Sequence, residues 1–227
     1  MEKNKTREYL KYAIGEVFLV VIGILIALQI NNWNENRLKL TLEKEMLIEI
    51  KTGLRSDLKD VLFNLKSETK KIASGKILID WIERDLPYND SLGVHFQGVS
   101  NATFFNVNVG AYQTLKQMGS RIIRNDSLRG RISTLYENEY VFYNVINRVH
   151  IKDCDKLNSN NALYFTEIPL NGKKMTLIDI KGLKANTEYL FHLKTTRNTG
   201  VLKTRTIIPE LITEIKEIIV MIEEELN

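Results

Sequence analysis

The sequence predicts a mainly α-helical protein: an N-terminal transmembrane helix that continues into an antiparallel helical bundle, with a small β-hairpin near residues 163–180. Three observations carry this expectation. Val17 to Leu28 reads VFLVVIGILIAL without a polar residue. After Trp33, apolar residues recur at seven-residue intervals. With only three prolines in 227 residues, few positions are barred from a helix interior.

The composition, 44% hydrophobic and 26% charged, belongs to a chain that folds. The expected division is a tail over 1–11, a transmembrane helix over 12–32 and one soluble helical domain over 33–227. The net charge of +4 comes from 32 basic and 28 acidic residues that are interspersed, so no basic block marks a nucleic-acid partner. Cys154 is the one cysteine, which excludes an intrachain disulfide and any metal site built from several cysteines.

From Tyr12 to Ile30 only Glu16 and Gln29 break the apolar character. Nineteen helical residues rise about 28 Å, close to the roughly 30 Å hydrocarbon core of a bilayer. Tyr9, Tyr12 and Trp33 flank the run, where aromatic belts are expected. A buried helix of a soluble protein and a cleaved signal peptide are the alternatives. The first seldom carries a dozen apolar residues on every face; the second needs a small-x-small cleavage pattern that Gln29-Ile30-Asn31-Asn32 lacks. Lys3, Lys5, Arg7 and Lys11 against Arg37, Lys39 and Lys44 favour a cytoplasmic N-terminus and an exported domain.

Within this helix Gly15, Leu19, Gly23 and Ala27 share a face. The small residues Gly15, Gly23 and Ala27 give a surface on which a second membrane helix, from another copy or a different membrane protein, packs closely. Glu16 is the candidate intramembrane functional residue, with snorkelling to the headgroups as the plain alternative.

The stretches Tyr12-Ala13-Ile14-Gly15-Glu16 and Leu19 to Glu35 (LVVIGILIALQINNWNE) resemble the N-terminal signature of a family of uncharacterised bacterial single-pass membrane proteins. Gly110 to Lys116 and Asn125 to Arg129 are similar to the same family. The resemblance implies an anchor in the bacterial cytoplasmic membrane and brings no catalytic residues with it.

Leu40, Leu47, Leu54 and Val61, with Ile50, Leu58 and Leu65 beside them, predict a long amphipathic helix that enters the domain core. Ile77, Leu78, Trp81 and Ile82 continue it to a stop before Pro87. Residues 87–108 read as an irregular segment. Its Tyr88, His95, Phe96, Phe104 and Phe105 form the candidate binding loop, or else pin the loop to the bundle. Helices follow over Ala111 to Met118, from the capping residues Asn125-Asp126-Ser127 through Ile146, over Leu183 to Val201, and from Pro209 to the end. Asn171-Gly172 between two short apolar runs is the hairpin signal.

His95, His150 and His192 have no metal-ligand spacing. Asp153-Cys154-Asp155 has no recognisable helper base. Asp57 with Asp60, and Glu43 with Glu45, read as solvated helix charges. No phosphate-loop, dinucleotide or nucleophile-elbow motif is present, so no catalytic, cofactor or metal residues are assigned. The expected role is non-catalytic binding, scaffolding or sensing at the outer face of the cytoplasmic membrane, with the lipid bilayer and a membrane-protein partner or a second copy as its contacts. An accessory subunit of a transport or secretion complex and a hydrolase with a dispersed site are the rivals.

Overall fold

A proline-free stretch with isolated glycines imposes no helix stop before Pro87, and α1 accordingly spans Glu2–Glu83. The computed structural model describes the backbone of residues 2–169 and 173–227 and the side chains from residue 15 onward, except 170–172. The chain divides into two units, Met1–Leu47 and Ile48–Asn227. In the first, α1 is long and apolar enough to cross a membrane, and none of its 18-residue apolar window is buried. Val17, Phe18 and Leu19 are each more than 60% exposed.

In the second unit, α1 ends four residues before the proline. Leu86 N–H donates to the Trp81 carbonyl at 3.1 Å and Asp85 N–H to the Ile82 carbonyl at 3.2 Å, the paired bonds that satisfy last-turn carbonyls when the residue past the helix is left-handed. That residue is Asp85, with φ +47°. Lys184 holds it in place, donating to its carboxylate at 2.6 Å and to the Leu86 carbonyl at 2.7 Å.

The remaining helices are α2 (Leu92–Ser100), α3 (Gly110–Met118), α4 (Asp126–Thr134), α5 (Tyr140–Asn161), α6 (Ile180–Ala185), α7 (Thr187–Leu202) and α8 (Ile208–Leu226). Gly119, at φ +97°, turns the chain after α3. Asn125 caps α4 by accepting from Leu128 N–H at 3.0 Å. π turns at Leu135–Glu139 and Lys203–Ile207 join α4 to α5 and α7 to α8 without a break.

Three expectations are corrected. Residues 87–108 are not irregular throughout, because Leu92, Phe96 and Val99 share the buried face of α2. The helix expected over Leu183 to Val201 is two, divided at Asn186, whose side chain caps α7 through Tyr189 N–H at 2.9 Å. Pro209 stands in the first turn of α8, at the start of the last helix as expected. Among the described residues there is no strand in place of the hairpin, only an antiparallel bridge of Phe165 with Leu177. There, Met175 N–H bonds to Gly93 and Ile178 N–H to Tyr164, so these backbone donors dock the segment on the helices. Asn171 and Gly172 lie outside the described residues.

The bundle is also not wholly antiparallel. Along α1, Asp57, Asn64, Glu68 and Lys71 meet Tyr140, Tyr143, His150 and Cys154 in rising order, so α5 runs parallel to α1. Arg55, Glu68 and Glu83 meet Glu223, Lys203 and Lys194 in falling order, so α7 and α8 run antiparallel to it. The long connection through α2 and α3 is the crossover that parallel neighbours need. One apolar core gathers Trp81, Phe96, Phe165, Leu183 and Tyr189.

Candidate functional site

From Ile50 to Leu78 the buried face of α1 follows a strict alternation of three- and four-residue steps: Ile50, Leu54, Asp57, Val61, Asn64, Glu68, Lys71, Gly75, Leu78. Four of these nine positions are polar. Side chains at this spacing lie on one stripe of a helix, so folding carries Asp57, Asn64, Glu68 and Lys71 into the core with their apolar neighbours.

Near the first π turn, Asp57 accepts from Tyr140 Oη at 2.8 Å and from Asn108 Nδ2 and N–H at 2.6 and 3.0 Å. Burial pushes its carboxyl above the usual range, and these three donors only partly oppose that. Asn64 donates to the Tyr143 hydroxyl at 3.2 Å and to the Phe104 carbonyl at 3.1 Å, which ties the 101–105 segment to the bundle.

One turn beyond Asn64, Glu68 is completely enclosed. His150 Nε2 lies 2.8 Å from its Oε1, Lys203 Nζ 3.3 Å from its Oε2 and Lys71 Nζ 3.7 Å from its Oε1. Lys203 is the first residue of the second π turn and also donates to Asn147 Oδ1 at 2.7 Å. Gly200 makes room for the carboxylate, since a Cβ there would stand 2.9 Å from Glu68 Oε1.

Burial alone would raise the Glu68 carboxyl, but the His150 hydrogen bond and the two lysines hold it down at about 2. For His150 and Lys203 burial is the largest influence, and both sit below their ordinary values in spite of Glu68. Burial likewise pushes the Cys154 thiol up. Lys71 Nζ lies 3.2 Å from His150 Nε2 and donates to the Cys154 sulfur at 3.5 Å. The cluster holds two lysines against one carboxylate.

Above Lys71 opens a cleft of about 460 Å³, lined from α1 by Phe63, Asn64, Ser67, Lys70, Lys71 and Ser74 and from the facing segment by Gln97, Gly98 and Asn101 to Phe104. None of these residues is acidic. Phe63 and Phe104 are 65% and 69% exposed.

The structure separates the five aromatic and histidine candidates of 87–108. Phe96 sits in the core between Trp81 and Phe165, and Phe105 packs on Tyr140 and Tyr143. Tyr88 meets the edge of Trp81, and His95 Nδ1 lies 3.1 Å from Ser74 Oγ. Phe104 alone of the five lines the cleft. Gly15, Gly23 and Ala27 lie along α1 with Glu16, all exposed, and a Cβ at either glycine would meet nothing within 4 Å. Asp57 and Glu43, read as solvated, are buried, Asp57 because it falls on the inward stripe. Cys154 is buried and burial holds its thiol in the protonated form, so it is not set up as a nucleophile. Glu68, Lys71 and Lys203 were missed. The signal for the first two was a seven-residue spacing that continued through polar residues.

Residues 16–184 match the model of a family of unknown function, DUF6090. No curated protein and no solved structure matches the chain.

Proposed function

We propose a role for a chain that belongs to DUF6090, a family of unknown function: a single-span protein of the bacterial cytoplasmic membrane whose helical unit binds or senses a ligand without transforming it. The observation that carries this reading is the fully exposed apolar window of α1. A dozen consecutive apolar residues in water carry a large hydrophobic cost, which a bilayer removes. The charge bias across the segment supports a cytoplasmic N-terminus, with Ile48–Asn227 on the outer side.

The cleft over Lys71 supports a binding role. Its walls are held by hydrogen bonds from Asn64 and Asn147 to the backbone carbonyls of Phe104 and Thr103, the preorganisation that lowers the entropy lost when a ligand is taken up. Gly15, Gly23 and Ala27 offer the surface for a second membrane helix, through which a bound state would reach a partner.

Labelling in intact cells tests the topology. Ser127→Cys places an exposed thiol on α4, while native Cys154 is buried. A membrane-impermeant maleimide should label the variant from outside. Labelling only after the cells are opened would contradict the exported orientation.

A further inference from the structure

The cleft beside Lys71 has the makings of a site for one class of ligand. Lys71 is only 4% exposed. Its amino group lies 3.2 Å from His150 Nε2 and 3.5 Å from the Cys154 sulfur, both uncharged, and the one carboxylate nearby is 3.7 Å away and shared with His150 and Lys203. A buried ammonium that shares its one carboxylate with two other groups is costly, and an anion brought near it offsets part of that cost. Thr103 Oγ1, on the facing wall, is enclosed without a hydrogen-bond partner. Lys70 stands at the rim, exposed, with no carboxylate partner among the described residues. On the two walls Thr103 Oγ1 and Lys70 thus lack partners beside Lys71, and the lining holds no acidic group to supply one.

The rest of the lining narrows the chemistry. Phe63 and Phe104 leave two aromatic side chains largely exposed on the same opening, and a fully hydrated ion has no use for them. The volume of about 460 Å³ suits a small organic molecule. We propose that this cleft binds a small organic carboxylate with a compact apolar or aromatic body. Its charged group meets Lys71, Lys70 and the Thr103 hydroxyl, and its body meets Phe63 and Phe104. The assignment rests on the binding role proposed above and names the ligand class for it.

Calorimetric titration of the full chain in detergent micelles tests it, with benzoate and hexanoate as carboxylates, benzyl alcohol as a neutral counterpart and inorganic phosphate as a bare anion. Saturable binding of at least one carboxylate is expected, with benzyl alcohol and phosphate at least tenfold weaker. Phe104→Ala and Lys70→Gln, both at exposed positions, should each weaken the carboxylate several-fold with an unchanged thermal midpoint, and Lys152→Gln, exposed on α5 and absent from the lining, should leave it unchanged. Phosphate binding as tight as a carboxylate and indifferent to Phe104→Ala would mark an adventitious ion only and overturn the proposal. Equal binding of benzyl alcohol would also overturn it. If no carboxylate binds but a photocrosslinker at position 104 captures a defined protein in cells, the ligand class falls and the binding role stands; if neither assay shows anything, both fall.

Discussion

Glu68 Oε1 lies 2.8 Å from Nε2 of His150, with neither side chain exposed to solvent. The pair joins α1 to α5, and Lys203 of the second π turn brings the α7–α8 helix to the same carboxylate. One acid thus joins three long helices.

Removing that acid should be severe. Glu68→Ala leaves Lys71 and Lys203 without their carboxylate and should cost about 3–5 kcal/mol, the range for breaking a buried ion pair from one side. Urea denaturation of the full chain in detergent checks this. A loss below about 1 kcal/mol would mean that water reaches the cluster.

The same groups set the acid response. The depressed Glu68 carboxyl, about 2 in the folded chain against 4.5 unfolded, contributes stability that is complete above pH 4.5 and is lost as the pH falls toward 2. His150, held below 6.5 by burial, contributes in the same direction, because below pH 6.5 the unfolded chain takes up a proton that the folded one refuses. Asp57, raised by burial, offsets part of this at low pH. Urea midpoints should therefore fall from pH 7.5 to pH 4, and Glu68→Gln should flatten the fall below pH 4.5.

At the first π turn, Tyr140→Phe takes one of three donors from buried Asp57 and should cost about 1–3 kcal/mol, the usual price of an under-satisfied buried acceptor. The thermal midpoint should drop while the far-ultraviolet circular dichroism stays helical.

A surface pair provides the contrast. Arg131 forks onto Glu214 at 2.9 and 2.6 Å and onto Glu217 at 2.6 Å, with all three side chains partly exposed. Arg131→Ala should cost only about 1 kcal/mol, less again in high salt, as screened ion pairs do. Denaturation at two salt concentrations separates this from the Glu68 result.

The helical class, the long first helix, its stop before Pro87 and the Asn125 cap were legible because each rests on local periodicity or on a residue with a fixed backbone habit. The parallel course of α5 was not, since nothing local records which neighbour a helix chooses. Neither π turn was readable, because the sequence remains helical through both. The ionic cluster was half visible: Glu68 and Lys71 lie on the seven-residue stripe, but Lys203 comes from a distant helix and reaches them only through the fold. Phe96 and Phe105 differ from Phe104 only in which way the chain faces, so the segment alone does not separate core from cleft.

The central claim is that α1 anchors the chain in a bilayer, and the direct measurement is flotation of the full chain with liposomes after alkaline extraction. The wild-type protein should float with the lipid, and Ile24→Arg with Val20→Arg, two charges in the exposed apolar window, should move it to the soluble fraction. A wild-type chain that stays soluble, or a double variant that still floats, would contradict the anchor.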